Sequence, residues 1–347
     1  MPVNVHNEWD NLKEIIVGKA VNARYPNKDE TTYLLDYKDD YKDISEIPSG
    51  YYDPKVVDEA EEDLEHLVTF LQSVGVTVKR PSTDYLESSF GNGLWNATPE
   101  HVYCPRDSIV TIGNTIIETP MVSRNRYFET FAFREIIKEY FDQGSRWLSA
   151  PKPQLSEKSY NLDAKNGYEM LTEFEPLFDA ANIIRLGEDI LYLVSRSGNK
   201  LGAKWLQSIL GSQYRVHLIE GSYDGTHIDT TIALVRPGLV ILNPDRIRQE
   251  NLPAFMQSWD VIYADEMVDV GFSGEKPRAS VAQAINTIMV NPALALVEQS
   301  QKPLIKKLNS FGVEVEPLSM RQSRTLSGGF HCTTLDISRD GKLENYS

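Results

Sequence analysis

The sequence predicts an α/β protein closed radially from repeated units, each made of strands and a helix. Two recurrences carry that prediction. A helix that ends at a glycine and passes into a strand occurs three times, and a tight hairpin of two apolar strands occurs four times. One such unit cannot bury both of its faces, whereas several around a common axis cover one another.

In chain order, Leu12 to Gly18 reads as a strand closed by glycine. Residues 21–55 carry Pro26, Pro48, Gly50 and Pro54 without clean periodicity, and read as a long surface excursion over a site. From Pro54 to Val74 apolar residues recur at helical spacing (Val57, Ala60, Leu64, Leu67, Leu71), and Gly75 leads into the strand Val76–Val78. The same ending follows the helices Lys204–Leu210, at Gly211 before Tyr214–Ile219, and Pro303–Phe311, at Gly312 before Val313–Val315. The hairpins span Ser108–Pro120, Ile183–Ser195, Ile232–Pro244 and Thr287–Glu298, and Phe128–Phe141 reads as a helix between two of them. The strand after Cys332 resembles a fifth hairpin whose partner has eroded.

Lys+Arg 35 against Asp+Glu 50 gives a net charge of −15, which argues against nucleic acid or an anionic membrane as partner. A cationic substrate suits that balance better. The N-terminal stretch has no apolar signal core, and two cysteines make no disulfide framework, so a reducing cytoplasm is expected. A homodimer is allowed by the sequence but not selected by it.

Just before or at the first strand of successive hairpins stand Asp107, Asp179, His227 with Asp229, Ser280 and finally Cys332, after Gly328-Gly329. Equivalent positions around an axis converge at one end of it. The glycine pair is expected to take positive φ and bring the backbone close to a ligand. A thiol with a histidine in reach is the pattern of an activated nucleophile, and a carboxylate can orient the imidazole. Two further carboxylates suit a planar guanidinium, which pairs bidentately with such groups. Taken singly, each residue has a plainer reading: Asp107 as a turn residue or cap, Asp179 as a partner of Arg185, His227 as a satisfied core histidine. His331, beside the thiol, reads as structural.

Several segments resemble the arginine amidinotransferases, among them the glycine, inosamine-phosphate and lysine enzymes. They are Asn7-Glu8-Trp9-Asp10, Cys104-Pro105-Arg106-Asp107, Ala150-Pro151-Lys152-Pro153, Glu175–Ala181, His227-Ile228-Asp229, Asn243-Pro244-Asp245-Arg246 and Gly328–Cys332. The resemblance runs from residue 5 to residue 345. It implies a five-bladed α/β propeller of the pentein type, built of ββαβ repeats with pseudo-fivefold symmetry in one domain over residues 1–347. It also implies ping-pong transfer of the amidino group of L-arginine to a primary amine, with no metal or organic cofactor. Cys332 resembles the nucleophile, His227 the acid and base, Asp179 its orienting partner, Asp107 and Asp229 the guanidino clamps, and Arg246 and Ser280 the binders of the amino-acid carboxylate.

Asp224-Gly225-Thr226 stands where the glycine enzymes are expected to carry Asn-Pro-Met, which disfavours glycine as acceptor. The net charge then tilts the expectation toward a cationic amino acid such as lysine, with an aminocyclitol phosphate as the alternative. Acceptor specificity is expected in residues 21–55 and 262–278. A guanidine-hydrolysing relative and a non-catalytic arginine-binding protein are the competing readings. If His227 alternates between acid and base, the rate is expected to be bell-shaped, with limbs near neutral and mildly alkaline pH.

Overall fold

The computed structural model describes residues 2–347. Five three-stranded sheets share one pattern: two antiparallel strands, the inner of which is joined in parallel by a third. Ile109–Ile112 and Thr115–Glu118 form such a pair, extended by Arg146–Ser149. Ile183–Leu186 and Asp189–Leu193 are extended by Arg215–Ile219, and Ile232–Arg236 and Leu239–Leu242 by Asp260–Tyr263. Ile288–Asn291 and Leu294–Glu298 are extended by Glu314–Leu318.

The remaining sheet joins the two ends of the chain. Asn11–Val17 pairs antiparallel with Thr334–Asp340 and parallel with Thr77–Lys79. The strand after Cys332 therefore has a full partner, supplied by the N-terminal strand and not by an eroded hairpin. Its residues 334–337 are buried and their backbone groups need a partner, which a local hairpin does not supply.

Between second and third strands the chain returns through the helices Pro54–Ser73, Arg134–Asp142, Lys200–Leu210 and Lys302–Ser310. Gly75 and Gly312, at φ 84° and 74°, take the left-handed turn that stops the first and last of these. The predicted helix at 128–141 divides into a 3₁₀ stretch, Glu129–Phe133, and the α-helix Arg134–Asp142. The Ile232–Tyr263 unit departs from the one-helix expectation. It returns through two single 3₁₀ turns, Gln249–Asn251 and Ala254–Met256, with Pro253 between them.

Each sheet shares an apolar cluster with the next. Ile16 and Leu335 pack with Ile109 and Ile116, Ile117 with Ile190, and Leu191 with Ile241, Ala295 and Val297. Ile15 and Val17 then pack with Ile288 and Leu296, so the last sheet meets the first. Leu64, Leu67 and Leu71 of the first helix, all fully buried, seal that contact, each contributing roughly 1.5–3 kcal/mol.

The 21–55 segment is more ordered than its sequence suggests. One α-turn at Glu30–Thr32 runs on as a π-helix over Tyr33–Tyr37, whose wider repeat hides any 3.6-residue period. Leu34 and Leu35 are buried there against a cluster containing Trp95, Tyr127 and Tyr160. Among the described residues no helix is long and apolar enough to cross a membrane.

Candidate active site

The segments that enter the sheets meet at a cavity of about 330 Å³, lined by Asp107, Asp179, His227, Asp229, Ser280 and Cys332. Six of the seven residues singled out in the sequence thus share one wall. The seventh, Arg246, stands behind it: its guanidinium stacks 3.7 Å over the Tyr223 ring and donates to Thr230 O, Thr230 Oγ1 and Ser280 Oγ.

Cys332 sits in the turn before the strand Thr334–Asp340. Its thiol donates to Asp229 Oδ2 at 3.1 Å and accepts from Asn286 Nδ2 at 3.1 Å. Asn286 Oδ1 also accepts from the backbone N–H groups of His331 and Cys332, at 2.9 and 3.0 Å, and so fixes the turn. The two preceding glycines do not have the expected positive φ; Ser327 does, at 60°. They are needed for space. A Cβ on Gly328 would lie 2.6 Å from Cys104 Sγ, and one on Gly329 would lie 2.7 Å from the Asn286 side chain. Burial first, then the charges of Asp229 and Asp107, push the Cys332 thiol well above its ordinary range. The resting thiol is therefore protonated.

His227 holds φ at 64°, the left-handed region that a non-glycine residue enters only when its surroundings enforce it. Ser197 Oγ accepts its backbone N–H. Nε2 faces Asp179 Oδ2 at 3.2 Å, and Nδ1 lies 3.6 Å from Asp107 Oδ1. Burial works against the charged ring, but Asp107, Asp179 and Asp229 outweigh it and raise the pKa to about 9. At neutral pH this is an imidazolium with Nε2 anchored and Nδ1 toward Asp107. Asp179 itself is held by the Val122 N–H and does not pair with Arg185.

The two outer carboxylates are each half used. Asp107 Oδ2 pairs with Arg126 Nη1 at 2.7 Å, and Asp229 Oδ2 accepts from His331 Nδ1 and the thiol. Asp107 Oδ1 and Asp229 Oδ1 are buried without a hydrogen-bond partner among the described residues. Asp229 nevertheless stays ionised: against burial, His331, His227 and Cys332 bring it down to about 2.

Sequence reading passed over Asn286 and Arg126, quoted Glu8 only inside a motif, and read His331 as structural. Asn286 had a readable signal, because it stands two residues before its strand, as Asp107 and Cys332 do before theirs. His331 reaches Asp229 on one side and Glu8 Oε2, at 3.3 Å, on the other. Glu8 is chelated by Arg185, which also meets Asp336 at 3.1 Å. The expected specificity loops contribute unequally. Residues 21–55 bring Leu35, Asp36, Asp39 and Asp40 to the cavity, whereas 262–278 brings only its last residue, Arg278.

No protein-family model matches the chain. It is 49% identical over 344 residues to inosamine-phosphate amidinotransferase 1 of Streptomyces glaucescens, covering 99% of each chain. It is 34% identical over 354 residues to the L-arginine:L-lysine amidinotransferase of Pseudomonas savastanoi pv. phaseolicola, covering 99% of this chain and 96% of that one. Among solved structures, the inosamine-phosphate amidinotransferase of Streptomyces griseus superposes with a TM-score of 0.97 at 50% identity, covering 99% of each chain. The chain belongs to the amidinotransferase family, enzymes that transfer amidino groups.

Proposed function

We propose that the protein takes the amidino group of L-arginine onto Cys332 and passes it to the primary amine of an aminocyclitol phosphate, releasing L-ornithine. The observation that carries the first half is the pair of buried, unpartnered oxygens, Asp107 Oδ1 and Asp229 Oδ1, in the cavity with the thiol. Leaving such acceptors empty is costly, and a guanidinium offers N–H donors to both. Its positive charge also offsets the two carboxylates that hold the thiol proton on.

In this reading the bound guanidinium lowers the thiol's proton affinity, and the Sγ–Cζ bond forms as the thiol proton leaves by way of Asp229 Oδ2 to solvent in the cavity. The Cζ–Nε bond of arginine then breaks as His227 Nδ1 protonates the departing amine. In the second half the acceptor amine attacks the amidino carbon, gives its proton to the now neutral His227, and Asp229 relays a proton from solvent back to sulfur. Asp179 anchors the imidazole through both halves. Ser280, backed by Arg246, holds the amino-acid carboxylate. All of this work is assigned to side chains of the chain itself.

The aminocyclitol phosphate replaces lysine as the favoured acceptor. The relatives acting on inosamine phosphate are about half identical to this chain and the lysine enzyme about a third. The net charge was a poor guide because it says nothing of where charges sit. The cavity mixes both signs: carboxylates such as Asp36, Asp107 and Asp229 line it together with the guanidinium groups of Arg126, Arg196 and Arg278. Arg126 and Arg196 are paired with carboxylates at hydrogen-bond distance and Arg278 is not. The reading includes the five sheets as blades of a five-bladed α/β propeller with pseudo-fivefold symmetry, one domain over residues 1–347, working in the cytoplasm. Their common strand pattern and the packing of last sheet on first support that arrangement.

The test is a competition assay: arginine with glycine, lysine, ornithine and inosamine phosphate together, scored by guanidino product. Guanidinated inosamine phosphate should dominate. Homoarginine as the main product would overturn the acceptor, and citrulline or urea in place of any transfer product would overturn the transferase reading.

A further inference from the structure

The three guanidinium groups in the cavity differ in how they are occupied. Arg126 is saturated, with Nη1 on Asp107 at 2.7 Å and Nε and Nη2 on Glu129 at 2.6 and 2.8 Å. Arg196 reaches Asp39 at 2.7 Å and the carbonyls of Leu35 and Asp224. Arg278 has no such partner. Its Nη1 is buried without a hydrogen bond, and the nearest carboxylate, Glu100, lies at 3.7 Å, beyond hydrogen-bond length. The side chain is only 13% exposed and lies over the Tyr37 ring, 4.8 Å from its centroid. Its backbone N–H is fixed to Arg324 O at 2.8 Å, so the group is held in place without being satisfied.

Two neighbours share this condition. Glu100 and His101 are 3% and 5% exposed, line the same cavity, and leave Oε1 and Nδ1 without partners. Burial pushes the Glu100 carboxyl up, and it holds the His101 ring well below its ordinary range, neutral with one N–H to give. A buried guanidinium with an unmet N–H, beside a neutral imidazole whose Nδ1 also lacks a partner, is short of an acceptor-rich anion. A phosphate monoester supplies that, with several oxygens for a guanidinium fork and flanking donors.

We infer that Arg278, with Glu100 and His101, forms the subsite that receives the phosphate of the acceptor. This rests on the aminocyclitol phosphate reading above and adds to it the residues that distinguish a phosphorylated ring from a bare one. It also explains the sequence position: Arg278 is where the 262–278 segment reaches the cavity, two residues before Ser280. The rival occupant for the same guanidinium is the carboxylate of arginine, and ping-pong chemistry separates the two.

The experiment compares wild type with Arg278→Gln and Arg278→Lys in each half-reaction. Amidino-cysteine formation from arginine alone should stay within about twofold of wild type. For inosamine phosphate, kcat/KM should fall about 10- to 100-fold in the Gln variant, the range expected for losing hydrogen bonds to a charged group. The Lys variant should keep part of it, and turnover of unphosphorylated inosamine should be unchanged. Inorganic phosphate should inhibit transfer in the wild type and lose most of that effect in Arg278→Gln. Equal losses with both acceptors, equal inhibition by phosphate, or a matching loss in the arginine half-reaction would overturn the subsite. If the wild type ignores inosamine phosphate while inorganic phosphate still inhibits through Arg278, the acceptor reading fails and the subsite stands.

Discussion

Cys332 Sγ and Asp229 Oδ2 lie 3.1 Å apart, with the thiol donating to the carboxylate. The sequence suggested that the histidine would take this proton. The thiol's hydrogen-bond partners are instead Asp229 and Asn286, and His227 faces Asp107 and Asp179. In the proposed mechanism, deprotonating the thiol and protonating the leaving amine are therefore divided between two groups.

That division predicts opposite signs for one substitution. Asp229→Asn removes a charge that holds the thiol proton on, so Cys332 should alkylate faster with iodoacetamide, about tenfold for each unit its pKa falls. Transfer should drop on the order of 10²- to 10³-fold, as for loss of one preorganised electrostatic partner. Slower alkylation together with lost transfer would show that Asp229 supports the fold of the turn and not the thiol's charge.

In the proposed mechanism the imidazolium should set the alkaline limb. With the His227 pKa raised to about 9, protonation of the leaving amine should fail above about pH 9, beyond the mildly alkaline limb expected from sequence. Asp179→Asn should move that limb to lower pH, since it removes a carboxylate that raises the value. The stability contribution has the same sign: it is complete below the unfolded value of 6.5 and is lost as pH rises through about 9. A pH profile of kcat/KM for arginine, with the thermal midpoint followed in parallel, checks both.

Acid should loosen the ion network behind the site. Although burial opposes ionisation, Arg185 and His331 hold Glu8 well below the carboxylate range, and Arg339, Arg106 and Arg185 do the same for Asp336. Depressed carboxylates stabilise above their unfolded values, 4.5 and 3.8, and that contribution is lost as pH falls toward the folded ones. The thermal midpoint should therefore decline steeply below about pH 4. Glu8→Gln, which leaves Arg185 and His331 short of an acceptor, should cost about 3–5 kcal/mol in denaturant unfolding.

Crowding beside the nucleophile gives a packing prediction. Gly328→Ala should destabilise by about 1–3 kcal/mol, the usual cost of overpacking, and slow Cys332 adduct formation. Combining it with Cys104→Ala, which removes the sulfur 2.6 Å from the new Cβ, should recover part of both. No recovery would mean that Tyr103 and Cys332, at 3.2 and 3.3 Å, dominate the clash.

Much of the site was legible because its residues hold one place in a repeat. Asp107, Asp179, Asp229 and Cys332 each precede a strand of alternating or continuous apolar character, and that pattern can be read from spacing alone. The chain-closing pairing of Asn11–Val17 with Thr334–Asp340 could not be read, since nothing local joins strands more than 300 residues apart. For Arg246 the motif gives a neighbourhood but not the direction of the fork, which stacks on the Tyr223 ring and donates to Ser280 Oγ. Glu129 sits in the helix predicted at 128–141 and Arg126 just before it, and only packing shows Glu129 holding the Arg126 guanidinium against Asp107.

The central claim is that Cys332 carries the amidino group between donor and acceptor. Intact-mass spectrometry of the protein with arginine alone tests it most directly. The wild type should gain one amidino group with release of one equivalent of ornithine, lose it on adding inosamine phosphate, and show no gain when Cys332 is replaced by alanine. An unchanged wild-type mass, or an equal gain in Cys332→Ala, would contradict it.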